Sequence, residues 1–600
     1  MTRFKSALPA LIVALALLAR FIPGPRTIDD AFITFRYARN ILAGQGFVYN
    51  PGEAVLGTTT PLYTLLMAGL GGLTGGVEAP FPLLALLVNA LADAVTCLLL
   101  WNLGRRLGFE RAGVAAALAW AVAPFSVTFA IGGLETSLYV ALLTGALAAA
   151  VFANQSFSPL PEGFKDGQSP AEPTPGSSSL PFGSTKRKGR GSYLLGFLAT
   201  DVAKKPLKND PPPGGRGLGG GSRLRILAAL LASLALLTRP DALILLVPLA
   251  GERLWSVWKK KEALHWGELA AALLPYGAWA AYAFVVFGSP LPHSLLAKAA
   301  AYRLEAGESL IRLLQHYATP FLEQNLLGSG AAVAIGLLLY PFLFLLALRR
   351  LARTRPRPPL ALWVWALYPW LYLVTFAIPN PLIFRWYLTP PLPAYFFFIF
   401  IGLDALFVSI WGILSRAHRR GRAGQTGQSA DEPTPARQGG WVALLLLLPV
   451  VVSLADWRLN PDGLTQPAHP APEMAFIQLE GLYRQAAEHL APRLTPQSVL
   501  AAGDVGVLGY YTPARILDTV GLNSAVSTAY YPLPADQYVI NYTIPTALIL
   551  DQQPDWIVVL EVYGRRTFLP DPRFQAAYAL DLKIDTELYG SDGLLIFHKK

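Results

Sequence analysis

The chain has 600 residues, 53% of them hydrophobic and only 14% charged, with a net charge of +11 and a single cysteine, Cys97. That composition excludes a water-soluble enzyme, and one cysteine excludes intramolecular disulfides and zinc sites built on cysteine. The basic excess does not point to nucleic acid, because Lys and Arg cluster in short segments between apolar runs, where they orient a protein in a bilayer.

Apolar stretches long or nearly long enough to cross begin near Ala7, Pro61, Phe81, Ala112, Leu134, Leu224, Asp241, Gly267, Gly330, Leu360, Tyr387 and Trp441. The opening "MTRFKSALPALIVALALLARF" has the basic start and apolar middle of a signal peptide, but so many runs follow that it reads as a retained first helix. If all twelve crossed, the basic loop "GRRLGFERAG" would lie opposite the basic N-terminus, against the positive-inside tendency. The weakest run, "PLYTLLMAGLGGLT" from Pro61 to Thr74, is short and glycine-rich and suits an interfacial or re-entrant helix. Without it, eleven spans put every strongly basic loop on the cytoplasmic side with the N-terminus. The runs near Leu224 and Asp241 are short enough to form a re-entrant pair, which leaves the wider topology unchanged.

The other face collects the unusual polar residues. "TIDDAFITFRYARN" carries Asp29 and Asp30 and opens an amphipathic helix from Asp29 to Ala43, with Phe32, Phe35, Ala38 and Leu42 in one stripe and Gly44 at its end. "GGLETS" brings Glu135, "TRPD" brings Arg239 and Asp241, "PLPHSLLAKAAAY" brings His293 and Lys298, and "PNPLIFRWY" brings Arg385 and Tyr387. Each has an ordinary reading. Thr27 and Asp30 fit a capping pattern, and Glu135 suits a helix N-terminus. Arg239 can snorkel while Pro240 starts a helix, His293 is a common interfacial residue, and Lys298 and Arg385 can meet headgroups. Charged groups near hydrocarbon are costly unless they face a cavity or interface, so their joint placement favours a site at the outer membrane interface.

The predicted organisation is a membrane part over 1–153 with its first outer loop at 23–80, then a Pro-, Gly-, Ser- and Lys-rich cytoplasmic linker over 154–222. A second membrane part covers 223–413, a second linker 414–439 and a last span 440–456. Residues 457–600 alternate short apolar runs ("SVLAAGDVGVLGYY", "ARILDTVGL", "DWIVVLEVY", "GLLIFHKK") with helical ones, which predicts an extracytoplasmic α/β domain that binds acceptor or shapes the outer cleft. Its "GDVGVLG" lacks both the GK[ST] ending and the full G-x-G-x-x-G spacing of a phosphate loop.

The first outer segment, "IDDAFITFRYARNILAGQGFVYNPGEAVLGTTTPLYTLL", with "GGLETS", "TRPDAL", "PLPHSLLAK" and "FRWYLTPPLP", resembles the GT-C membrane glycosyltransferases, which take sugar from a polyprenyl-phosphate carrier. The likeness is greatest to the branch of the mycobacterial terminal β-1,2 arabinofuranosyltransferase and more distant to protein O-mannosyltransferases and lipid A aminoarabinose transferases. It extends in scattered motifs over roughly residues 7 to 400, with "GDVGVLGYYTPARILDTVGLN" in the tail also similar. The resemblance implies a polytopic helical fold and a carboxylate of the first outer loop as general base: Asp29 by alignment, with Asp30 as support or substitute. Thr60 stands where the pattern has asparagine, and His293 and Ser294 where it has an Asn-Thr pair, which leaves the sugar open. The "WWDYG" signature of oligosaccharyltransferases is absent.

Transfer from such a donor needs cations for the departing phosphate. Arg385, Arg239 and Lys298 are the candidates in that order, because a guanidinium fork suits phosphate oxygens. His293 and Tyr387 are candidates to orient phosphate or sugar, and Glu135 and Asp241 to bind sugar hydroxyls. The expected partners are a polyprenyl-phosphate sugar, membrane lipid, and a glycan, lipid or protein acceptor outside the cytoplasm. A divalent metal has room near the acidic pair, but no ligand spacing demands one. The rival class is a flippase for lipid-linked sugar or another transporter, whose binding groups commonly lie at mid-bilayer.

Overall fold

A computed structural model of the chain describes residues 2–154, 220–260, 262–321, 329–423, 443–459, 468–473 and 476–600, with Gly440 and Pro461. The linker expected over 154–222 lies almost wholly outside them, as do residues 424–439 of the second linker.

Helices α1 (Thr2–Phe21), α2 (Asp29–Leu42), α3 (Pro61–Thr74), α4 (Phe81–Arg106), α5 (Glu110–Val122), α6 (Pro124–Ile131) and α7 (Thr136–Ala153) form the first part. The second part contains α8 (Gly220–Thr238), α9 (Leu243–Lys260), α10 (Trp266–Phe287), α11 (His293–Ala301), α12 (Glu308–Ala318), α13 (Ser329–Arg353), α14 (Leu360–Ala377) and α15 (Leu392–Ala423). Helix α16 (Leu448–Ser453) lies within the apolar stretch Ala443–Asp456.

Among the described residues seven helices are long and apolar enough to cross a membrane, and eight if α5 and α6, bent by 45°, count as one span. The chain is a multi-pass membrane protein. Of the eleven expected spans, α1 and the Ala443–Asp456 stretch are short, and α9 falls outside the apolar set. Its Glu252, Arg253 and Lys259 make it amphipathic, so it suits an interface better than a crossing. Helix α3, as expected, is one of the shorter apolar helices. Helix α15 continues ten residues past the boundary expected at 413.

Two buried charge clusters sort the ends of the bundle. Asp404 of α15 receives Arg111, in the first turn of α5, at 2.8 Å and also pairs with Arg350 of α13, so the basic segments after α4 and at the end of α13 share one end. Arg20 of α1 donates to Asp93 of α4 at 3.0 Å, while the Trp120 indole and Ser137 hydroxyl bond the same carboxylate at 3.0 and 2.9 Å. Ionisable groups inside a bilayer usually mark function, but this pair is saturated: it knits α1, α4, α5 and α7 around the bend before Pro124.

The C-terminal region carries a five-stranded sheet of β3 (Val499–Ala502), β4 (Arg515–Asp518), β5 (Trp556–Leu560), β6 (Tyr578–Ile584) and β7 (Leu594–Lys599), after a small antiparallel pair, β1 (Trp457–Leu459) and β2 (Pro470–Pro472). The order is β4-β3-β5-β7-β6, parallel across β4, β3 and β5 and antiparallel beyond. Helices α17 (Phe476–Leu490), α18 (Gly506–Tyr511), α19 (Thr546–Gln552) and α20 (Pro572–Ala577) accompany it. Alternation of side chains along the strands gives the sheet two apolar faces. Leu500, Ala502, Ile516, Val558 and Leu560 pack with Val507 and Leu508 of α18 and join the core of the membrane part. Ala501, Leu517, Ile557 and Val559 pack on the other face with Leu548 and Ile549 of α19.

Candidate functional site

The acidic pair is placed by the backbone that precedes it. The Arg26 amide donates to the Ile131 carbonyl and the Ile28 amide to that of Gly132, both at 2.9 Å, which lays the start of α2 against the end of α6. Gly132 permits this approach, since a Cβ there would stand 2.6 Å from Ile28. Ile28 is the N-cap of α2 and no side chain caps it, so Thr27 and Asp30 do not form the capping pattern their spacing allows.

Asp29 and Asp30 then part company. Asp29 accepts the Gly506 amide at 2.9 Å on one carboxylate oxygen and the Val507 amide at 2.7 Å on the other. These are the first amides of α18, so Asp29 caps that helix from another part of the chain. A Cβ on Gly506 would overlap the Asp29 main-chain carbonyl, and one on Gly509 the Tyr49 hydroxyl. The glycines of "GDVGVLG" therefore serve close docking of α18 on α2. The amides a phosphate loop would offer to phosphate are held by a carboxylate. Arg36 completes the clasp, donating to the Tyr49, Gly509 and Ala514 carbonyls and to Asn50. Burial and then Asp504 push Asp29 upward in pKa, and its amide donors oppose them.

Asp30 has no such bonds. Among the described residues no donor reaches its carboxylate; burial raises its pKa, and the one opposing charge is Lys298. Lys298 of α11 donates to the Tyr387 hydroxyl at 3.2 Å and lies 4.6 Å over the Phe384 ring. Burial draws its pKa down, but Tyr387 and Asp30 outweigh that and hold it above the ordinary lysine value. Tyr387 in turn lies 4.7 Å beneath the Arg239 guanidinium. Arg239 is fully engaged, with Asp241 at 2.9 and 3.2 Å and Glu135 at 3.2 Å, and Tyr372 of α14 bonds Asp241 at 3.0 Å.

All five predicted clusters thus contribute: the acidic pair, Glu135, the Arg239–Asp241 turn, Lys298 from the fourth and Tyr387 from the fifth. The geometry changes some roles. Glu135 is the N-cap residue of α7 but makes no side-chain cap; it and Asp241 neutralise Arg239 instead of lying open to sugar. Arg385, half-buried in the same turn as Tyr387, acts on Arg312 of α12, whose pKa is lowered first by burial and next by that like charge. Arg312 was not among the sequence candidates. His293 fits least. Its main-chain amide donates to the Leu56 carbonyl at 2.8 Å, while its buried Nε2 has no hydrogen-bond partner among the described residues.

The sequence also missed Asp504, which follows β3 and accepts the Tyr483 hydroxyl at 2.7 Å. Burial raises its pKa, and the Asp30 carboxylate adds to the effect. A carboxylate immediately after a buried parallel strand was the available signal. Among the described residues no three His, Cys, Asp or Glu side chains gather to hold a metal ion.

Residues 473–595 match a family model described as a domain of unknown function, DUF8728. A terminal β-(1→2)-arabinofuranosyltransferase of Mycobacterium tuberculosis is 35% identical over 122 residues; the match spans 19% of either chain. Among solved structures, ArnT of Cupriavidus metallidurans bound to undecaprenyl phosphate superposes with a TM-score of 0.51 at 14% identity, over 100% of this chain and 98% of that one. The oligosaccharyltransferase AglB of Archaeoglobus fulgidus, in complex with an inhibitory peptide and a dolichol-phosphate, gives 0.51 at 11% identity, over 100% of this chain and 74% of that one. The chain thus has the fold of the GT-C membrane glycosyltransferases.

Proposed function

We propose that the chain moves a sugar from a polyprenyl-phosphate carrier to an acceptor hydroxyl at the extracytoplasmic face, by inverting displacement at the anomeric carbon. The observation that carries this reading is Asp30: a half-buried carboxylate bonded by no described residue, whose charge is opposed by the ammonium of Lys298. A carboxylate and a cation side by side are what such a displacement uses. The acceptor oxygen forms the new bond to the anomeric carbon and its proton passes to Asp30. The bond from that carbon to the phosphate oxygen breaks, and its electron pair leaves with the phosphate.

A base within reach of the acceptor contributes roughly 10² to 10⁴-fold. Asp30 takes that role in preference to Asp29, whose oxygens already hold two amides. Lys298 takes the departing phosphate charge, with Arg385 of the Tyr387 turn as the further candidate, in a poorly screened site where such stabilisation is large. Arg239, matched by two carboxylates, positions Tyr387 instead. The positive-inside tendency puts the Arg111–Asp404–Arg350 end in the cytoplasm and the site outside it. The fold is shared with a protein solved with undecaprenyl phosphate and another solved with dolichol-phosphate, which supports the donor class.

The test uses the full chain in proteoliposomes, undecaprenyl phosphate carrying radiolabelled sugar, and crude envelope acceptor. Label should pass to acceptor as free undecaprenyl phosphate accumulates. Movement of the intact lipid across the bilayer with no transfer would instead identify a flippase.

A further inference from the structure

The C-terminal sheet brings the carboxyl end of β3 to this site: Gly506, two residues past Asp504, donates its amide to Asp29 at 2.9 Å. Strand β3 leads through α18 to β4 on one side of it, and the chain then returns past β3 to β5 on the other. Helices α18 and α19 lie on opposite faces. The connections leaving β3 and β5 therefore diverge, and the carboxyl ends of those two strands flank a topological switch point, the place where open α/β sheets bind ligands. Asp504 stands at the end of β3 and Tyr563 in the turn after β5. Asp504 is the charge that acts most strongly on Tyr563 and on Tyr302, and Asp30 acts on Tyr302 as well. Tyr302, just past α11, lies 5.8 Å from Tyr542, which lies 5.0 Å from Tyr563. The crevice expected at that switch point thus lies beside the acidic pair, with the half-buried Asp504, Tyr302 and Tyr563 around it and Tyr542 packed in the core beneath them.

We propose that this crevice is the acceptor subsite, that its ligand is the neutral terminal sugar of a glycan, and that Asp504 binds acceptor hydroxyls so that one of them lies against Asp30. This rests on the glycosyltransferase reading above. A carboxylate accepts from neighbouring hydroxyls, and tyrosine faces pack against the apolar side of a sugar ring. The same carboxylates disfavour anionic acceptors. A peptide acceptor would pair with a free sheet edge, and the edges here are β4 and β6, not the β3–β5 junction.

The experiment gives the full chain in proteoliposomes three radiolabelled undecaprenyl-phosphate donors (arabinose, mannose, aminoarabinose), with arabinan or mannan oligosaccharides or a Ser/Thr peptide as acceptors. Asp504→Asn, which keeps an oxygen for Tyr483, should raise the oligosaccharide KM at least tenfold with a smaller change in kcat and donor KM within about threefold. In the unmodified chain, oligosaccharide should slow amide exchange in residues 503–505 and 561–564. Unchanged acceptor KM, absent protection, or transfer to the peptide in preference to the sugar would each overturn the inference. A wild-type chain that consumes none of the donors would instead defeat the glycosyltransferase reading, and so the two failures are distinguishable.

Discussion

About 100° of helical rotation separates neighbouring residues of α2, and it sends Asp29 toward α18 and Asp30 toward Lys298. Burial disfavours both charged forms, but only Asp30 has a cation as its main opposing influence. A base must be ionised to accept a proton, so transfer should fall on acidification from a pH above the ordinary carboxylate range. Removing the ammonium should raise the pKa of Asp30 further. Lys298→Met should therefore move the acid limb of the pH–rate profile to higher pH as well as lower its plateau; a limb that stays in place would separate the two residues. Arg239 makes a different prediction. Arg239→Met leaves Glu135 and Asp241 buried without their partner, a loss on the order of 3–5 kcal/mol, and a clear drop in melting temperature should accompany its loss of activity.

At the scale of elements, the contact between α2 and α18 decides how the acidic pair is held. Phe32 of α2 meets Tyr510 and Tyr511 at ring separations of 5.2 and 5.3 Å, and Arg39 stacks 4.6 Å over Tyr510. The expected apolar stripe of α2 thus meets these rings through Phe32 and Phe35. Gly506→Ala forces α18 away from the Asp29 carbonyl, and overpacking of this kind typically costs about 1–3 kcal/mol. It should cut transfer although Gly506 carries no chemistry, and it should increase proteolysis after Arg36 and Arg39. The periodicity of α2, the shortness of α3 and the strands β3, β4, β5 and β7 were readable because each is a local pattern of apolar and polar residues. Strand β6, "YALDLKI", was not, since its edge position leaves most of it half-exposed with no clean alternation.

Over the whole molecule, the outer clusters were legible together because charge near hydrocarbon is rare enough to be conspicuous. Which of two adjacent aspartates faces the cavity was not. That depends on amides 477 and 478 positions away in the chain, a relation no local pattern carries. Asp504 had a local signal in its place after a buried strand, but its nearness to the acidic pair had none. The bundle and the sheet should accordingly open as one unit at this seam: Arg36→Ala, which frees three carbonyls and Asn50, should speed amide exchange in α2 and α18 by a common factor, whereas exchange confined to α18 would mean the two are not coupled.

The most direct measurement compares transfer from radiolabelled undecaprenyl-phosphate sugar by Asp30→Asn and Asp29→Asn, with melting temperature recorded for each. Asp30→Asn should lose at least about a hundredfold in kcat with its melting temperature unchanged, as expected for a missing base, and Asp29→Asn should lose activity only in step with stability. An Asp30→Asn chain that transfers sugar normally, beside an Asp29→Asn chain that melts normally yet transfers none, would contradict the assignment of Asp30 as the base.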